Sequence, residues 1–109
     1  MNVAQRDRLL KIIVNDCRTR GAYIRPDGRT CAIGAMMVDC NLPLPKLYAK
    51  ANKWAVATLD DHILDTLQSV YGIRTGHLVK IQYYNDKETT SRRRRASISS
   101  FIMAMTLSE

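Results

Sequence analysis

Long apolar runs are missing from this chain. Its uninterrupted stretches are a few residues long, such as Ile12-Ile13-Val14, against the roughly 20 needed to cross a bilayer. Neither a membrane span nor a membrane partner is expected. Cysteine is scarce and odd in number, with Cys17, Cys31 and Cys40. An odd set in a chain of intracellular character argues against a disulfide framework, and spacings of 14 and 9 residues match no zinc-ligand pattern. His62 and His77 stand far downstream without paired partners, so neither a metal site nor a cofactor is expected. Aromatic residues make up 6% of the chain, too few for a broad stacking platform. The start, MNVAQRDRLLKIIVNDCRTRG, mixes Asp7 and Asp16 among basic residues and lacks an apolar signal core, so a cytoplasmic protein is expected.

What is present suits a single domain over residues 1–109, with 46% hydrophobic content. Seventeen basic residues against ten acidic give a net charge of +7. Such a balance favours nucleic acid, phosphate or an acidic protein surface as partner, without setting specificity.

Periodicity predicts a mainly α fold. Residues 3 to 18 place Val3, Leu9, Leu10, Ile13, Val14 and Cys17 on one stripe, with Asn2 as N-cap and Gly21 as terminator. AYIRPDGRT then carries a Pro-Asp-Gly turn suited to a tight turn or a small β-hairpin. Thr30 is placed to cap the helix CAIGAMMVDC, which is apolar almost all round and therefore central. KLYAKANKWAVATL and DDHILDTLQSVYG read as two further helices, the second started by Asp60 or Asp61 and stopped at Gly72. TGHLVKIQYYND is ambiguous between helix and strand, and its Leu78, Ile81 and Tyr84 spacing favours a short helix. From about Thr90, Ile98, Phe101, Ile102 and Met105 form the clearest amphipathic pattern. The expected architecture is a compact bundle of four or five helices with a hairpin or turn after the first.

Arg92, Arg93, Arg94 and Arg95 open that last helix, at the positive end of its dipole, where cations are least welcome. At about 100° per residue, Arg92 and Arg93 point to water, while Arg94 and Arg95 flank the axial extension of the apolar stripe. Their heads there call for an anion. Free backbone amides and the hydroxyls of Thr89, Thr90 and Ser91 add the elements of a phosphate site, and arginine forks match phosphate or carboxylate oxygens. The competing reading pairs Arg94 or Arg95 with Asp86 or Glu88 and leaves a solvated basic end. Arg18, Arg20, Arg25 and Arg29 surround the early turn. If that turn packs near the final helix, Arg25 and Arg29 join one positive surface. Tyr83 and Tyr84, beside Lys80, would then stack on bases, although one ring of the pair is expected to pack inside.

Catalytic signatures are weak. Cys31 opens a helix, where a thiol's pKa is lowered, and His77 and Asn85 follow in the order of papain-like cysteine hydrolases. Its Ala, Ile and Met surroundings favour a buried, inert thiol instead. Asp60, Asp61, Asp65 and His62 are explained by helix capping. Trp54, the one tryptophan, is expected to anchor the core, with a partner-facing role as the alternative.

The run GAYIRPDGRTCAIGAMM, then Leu-Pro, then Tyr-Asn-Asp before a terminal helix, resembles a diffuse group of small bacteriophage and prophage accessory proteins. The shared features fall on Gly28, Cys31, Ile33, Gly34, Ala35, Met36, Asn85 and Asp86. The four arginines and the long middle segment depart from that pattern. The resemblance implies a host-takeover or anti-defence inhibitor of the anti-CRISPR type, acting in the host cytosol by occupying a site rather than by catalysis.

The expected function is thus non-enzymatic binding of nucleic acid, a nucleotide or an acidic protein surface. Arg92, Arg93, Arg94, Arg95, Arg25, Arg29, Lys80 and Tyr84 form the candidate site. A cysteine-dependent hydrolase using Cys31 and His77 and a self-assembling protein are the alternatives, and a homodimer is compatible with any of them.

Overall fold

A computed structural model describes residues 1–16, 19–43 and 50–107. Six helices account for its regular structure: α1 (Val3–Asp16), α2 (Ala32–Asp39), α3 (Lys53–Ala57), α4 (Asp61–Tyr71), α5 (Thr75–Lys87) and α6 (Ser91–Met103). The mainly helical expectation holds, with six helices among the described residues in place of four or five. The hairpin does not form. Around the Pro-Asp-Gly turn there is one isolated bridge, Ile24 to Thr30, and a second joins Ala22 to Lys50, with no strand among the described residues. The Arg25 amide donates to the Arg29 carbonyl at 2.9 Å across the turn, and the Gly28 amide to the Arg25 carbonyl at 2.8 Å closes it.

Helix α1 starts as its sequence dictates. Gln5 donates its amide to Asn2 Oδ1 at 2.8 Å, and Asn2 returns its amide to Gln5 Oε1 at 2.9 Å. Its buried face is Leu9, Ile12 and Ile13, whereas Val3 and Val14 are exposed; Cys17 and Arg18 lie outside the described residues. The residues of α2 from Ala32 to Met37 are all buried, as the all-round apolar pattern requires. Its cap is Cys31 rather than Thr30: the Gly34 amide donates to Cys31 Sγ at 3.4 Å. Gly34 is required here because a methyl group would collide with the carbonyl oxygen of Tyr23. The expected helix KLYAKANKWAVATL shrinks to α3, capped by Asn52, and residues 44–49 lie outside the described ones. Lys50 cannot join it, since its backbone is bridged to Ala22. Asp60 caps α4, donated to by the His62 amide at 2.8 Å, and Gly72 ends it in the left-handed conformation at φ 65°.

Helix α2 sits between α1 and α5 and also meets α4; α6 lies across α1 and α5, and α3 packs on α5. Burying each large side chain of this core contributes roughly 1.5–3 kcal/mol. One polar joint ties the side of α1, α2 and α4 away from α3. Tyr71, fully buried, donates its hydroxyl to Asp39 Oδ2 at 2.7 Å, and Arg8 Nε reaches the same oxygen at 2.7 Å.

A second polar centre fixes α5. Its inner face carries Leu78 and Ile81 as expected, but also Gln82 and Asn85, both wholly buried. Asn85 Oδ1 accepts from the Ala32 amide at 2.9 Å, and its Nδ2 donates to the Thr19 carbonyl at 3.1 Å. One side chain therefore joins the end of α5 to the start of α2 and to the segment after α1.

Candidate nucleic-acid interface

The four arginines separate into two pairs. Thr90 caps α6, its Oγ1 accepting from the Arg93 amide at 3.2 Å, so the helix begins where the run begins. Arg94 then falls on the stripe that continues through Ile98 and Ile102, and all three are buried. Its Nε donates to the Asn85 carbonyl at 2.9 Å and its Nη2 to the Glu88 carbonyl at 3.2 Å. Arg95, half-buried, sends Nη1 to the Val14 carbonyl at 3.0 Å and Nε to Ser91 at 3.2 Å. The expectation that these two heads extend toward an outside anion is corrected by this geometry. The negative group each meets is internal, the carbonyl-rich C-terminal end of α5 for Arg94 and that of α1 for Arg95. Arg92 and Arg93 are exposed and have no side-chain partner among the described residues.

The early turn does pack against this region, through Arg20. Its Nη1 donates to the Asp86 carbonyl at 3.2 Å, and Arg25 Nη2 donates in turn to the Arg20 carbonyl at 2.9 Å. Arg29 turns inward on its own loop, its Nε at 2.7 Å from Asp27 Oδ2. The Arg29 amide and then its side chain hold the Asp27 carboxyl below the usual range. Arg25 and Arg29 are thus committed to the turn. Arg18 lies outside the described residues.

Helix α5 presents the feature that the apolar reading of its sequence passed over. Lys80, Tyr83, Tyr84 and Lys87 stand at i, i+3, i+4 and i+7, one stripe of the helix opposite the buried Leu78, Ile81 and Asn85. Lys80, Tyr83 and Lys87 are exposed, while Tyr84 is half-buried. The Tyr83 and Tyr84 rings meet edge-on at 5.5 Å, and Tyr84 lies 5.5 Å from Phe101 of α6. Of the two tyrosines, Tyr83 is therefore the free ring, and Tyr84 supports it from behind. On the other side, Trp54 overturns its expected core role: it is 72% exposed and shares a cleft of about 410 Å³ with Asn52, Lys53, Tyr83, Asp86 and Lys87. Lys53 Nζ lies 5.1 Å above the Trp54 ring and Lys87 Nζ 6.0 Å above Tyr83. Such exposed cation–π contacts are worth about 0.5–1 kcal/mol and are readily exchanged.

A second groove, of about 490 Å³, runs between Tyr84 and Phe101 on one wall and Ala96, Ser97, Ser100 and Ala104 on the other. Arg92 is one turn before Ala96 on α6, at the end of this groove. Rings, small side chains and exposed cations therefore form one surface across α3, α5 and the start of α6. The acidic residues Asp60, Asp61 and Asp65 belong to α4 and its cap, which packs on α1 and α2.

The chemistry-bearing candidates occupy other roles. Cys31 is wholly buried, its thiol donating to Gln82 Oε1 at 3.7 Å, and burial pushes its pKa up to about 11. The lowering expected at a helix start is overridden by loss of water around the thiolate. His77 accepts the Arg74 amide on Nδ1 at 3.0 Å, which caps α5, and its ring packs toward Phe101. Asn85 serves the joint between α5 and α2. Among the described residues, no three His, Cys, Asp or Glu side chains converge as a metal site would need.

Sequence reasoning missed Lys53 and Lys87, put Tyr84 rather than Tyr83 in the candidate site, and gave Trp54 a partner-facing role only as the alternative. The signal for Lys87 was available, since Lys80, Tyr83, Tyr84 and Lys87 keep helical spacing in TGHLVKIQYYNDK. No such signal existed for Trp54, which is exposed on the short helix α3. Comparison with protein families, curated proteins and solved structures returns no match to this chain. The likeness to phage accessory proteins accordingly rests on its own residues alone.

Proposed function

We propose that this chain is a non-enzymatic binding protein of the host-inhibiting, accessory kind, and that the face built by α3, α5 and the start of α6 engages single-stranded nucleic acid. The observation that carries the reading is the outward stripe of α5, in which exposed Tyr83 and half-buried Tyr84 are flanked by the exposed Lys80 and Lys87 along one line. Single strands are held this way, by aromatic faces that stack bases at about 1–3 kcal/mol each and cations that follow the phosphates. Lys80, Lys87, Arg92 and Arg93 supply the cations, and Tyr83 and Trp54 the rings. The net charge of +7 supports attraction at long range.

Fluorescence anisotropy of a labelled single-stranded oligonucleotide, titrated with protein over a range of salt, tests the proposal. Four phosphate contacts give a slope of about −3 in log affinity against log salt, because each contributes about −0.7 on a single strand. A flat salt response, or binding to an acidic protein with no oligonucleotide bound, moves the function to a protein partner.

A further inference from the structure

The cleft between α3 and α5 holds more than charge and rings, since Asn52 and Asp86 also line it. We infer that it is a base-binding subsite, taking one nucleobase of a single strand against Trp54 and Tyr83 and favouring bases that carry an exocyclic amino group. This rests on the reading that the surrounding face binds single-stranded nucleic acid.

The backbone that carries Trp54 is fixed although the ring is exposed. Asn52 Oδ1 accepts from the Trp54 amide at 3.0 Å and the Ala55 amide at 2.9 Å, and Val56, wholly buried, pins the same turn to the core. With its backbone already fixed, the exposed indole has only its own side-chain torsions left to order when a flat ligand covers it. The cleft volume of about 410 Å³ lies within the span of small-ligand sites.

Two polar groups on the cleft wall give it direction. Asp86 takes up donors from inside the fold: Gln82 Nε2 at 2.9 Å and Asn85 Nδ2 at 3.3 Å on Oδ1, and the Gly21 amide. A carboxylate has about four acceptor positions, so one is left on the residue that lines the cleft. Asn52 has committed Oδ1 to the α3 cap, and its Nδ2 has no partner among the described residues. The wall therefore offers one acceptor and one donor. The amino group of cytosine, adenine or guanine donates to the acceptor, and a neighbouring ring nitrogen or carbonyl takes the donor. Thymine and uracil present two carbonyls flanking a single N–H, which sets oxygen lone pairs against the carboxylate. Lys53 and Lys87, now above the rings, are placed to swing onto the phosphates that flank a bound base.

Trp54 is the only tryptophan in the chain, so its emission reports on the cleft directly. The intact protein is titrated at low salt with hexamers of deoxycytidylate and of deoxythymidylate. The expected result is quenching of Trp54 by deoxycytidylate, with affinity about fivefold above that for deoxythymidylate, the worth of one net hydrogen bond. Asp86→Asn, checked for folding by circular dichroism, brings that ratio close to one, and Tyr83→Leu weakens both ligands. The wild-type ratio decides the matter even if a variant fails to fold. Equal affinities, or binding without any change in Trp54 emission, overturn the subsite while leaving the nucleic-acid face standing. Absence of binding by either hexamer overturns both.

Discussion

Arg94 Nε and the carbonyl oxygen of Asn85 are 2.9 Å apart, which places a cation from the first turn of α6 on the last turn of α5. The two helix ends have opposite partial charges, and the guanidinium sits where α5 is negative. Removing it leaves the carbonyls of Asn85 and Glu88 short of a donor in a buried setting. We expect Arg94→Ala to lower stability by about 2–4 kcal/mol in urea denaturation, since hydrogen bonds to charged groups are each worth about 1.5–3 kcal/mol. Arg92→Gln and Arg93→Gln should stay within about 0.5 kcal/mol of the parent. Those same two changes should each reduce the salt slope of oligonucleotide binding by about 0.7. One run of four arginines thus divides into two that hold the fold and two that are exposed.

Asn85 invites a sharper test because both ends of its amide are used. Asn85→Asp keeps the acceptor for the Ala32 amide but loses the donor to the Thr19 carbonyl and sets a second carboxyl beside Asp86. Burial already holds the Asp86 carboxyl above its ordinary range. A second carboxylate there raises both, so the variant binds more protons when folded than when unfolded. Its stability deficit, at least about 2 kcal/mol at pH 7, should shrink as pH falls through the carboxyl range. A deficit that stays constant with pH would show that shape rather than charge is at fault.

The helices were readable because their signals are local. Asn2, Asp60 and Thr90 cap within three residues of themselves, and Ile98 and Ile102 lie on a stripe that a helical wheel reveals. What sequence could not supply was the far partner of each polar side chain. Arg94 was correctly aimed at the buried stripe, yet nothing in RRRRAS says that the end of α5 waits there. Trp54 is expected in the core from its place in an alanine-rich helix, but α3 spans only Lys53–Ala57, buries Val56 and leaves Trp54 exposed. Cys31 was open to two readings until the fold put it behind Gln82.

Gly34 tests the close approach between α2 and the early turn. Its added Cβ would meet the backbone of Tyr23, which cannot rotate aside as a side chain can. Gly34→Ala should therefore destabilise by about 1–3 kcal/mol or more, despite the better helix propensity of alanine. Thermal melting checks the sign. A neutral or raised melting temperature would mean that the turn shifts away without cost.

Cys31 gives an alkaline signature. Its ordinary pKa of 9.0 is raised to about 11 by burial, so the folded core holds the protonated thiol. A group whose folded pKa is raised contributes stability that is intact below the unfolded value and is lost as pH climbs to the folded one. Stability should therefore fall between pH 9 and 11 by about 3 kcal/mol, each pKa unit being worth about 1.4 kcal/mol. Cys31→Ser keeps an acceptor for the Gly34 amide and does not titrate in that window, so its decline from pH 9 to 11 should be shallower. Tyr23, raised by burial to about 12, adds a further loss above pH 10 in both proteins, which makes the difference between them the informative quantity. Alkylation at pH 7 should spare Cys31 in the folded state and modify it once urea unfolds the chain. A Cys31 that reacts readily while the protein stays folded would place the thiol at a surface and reopen its chemistry.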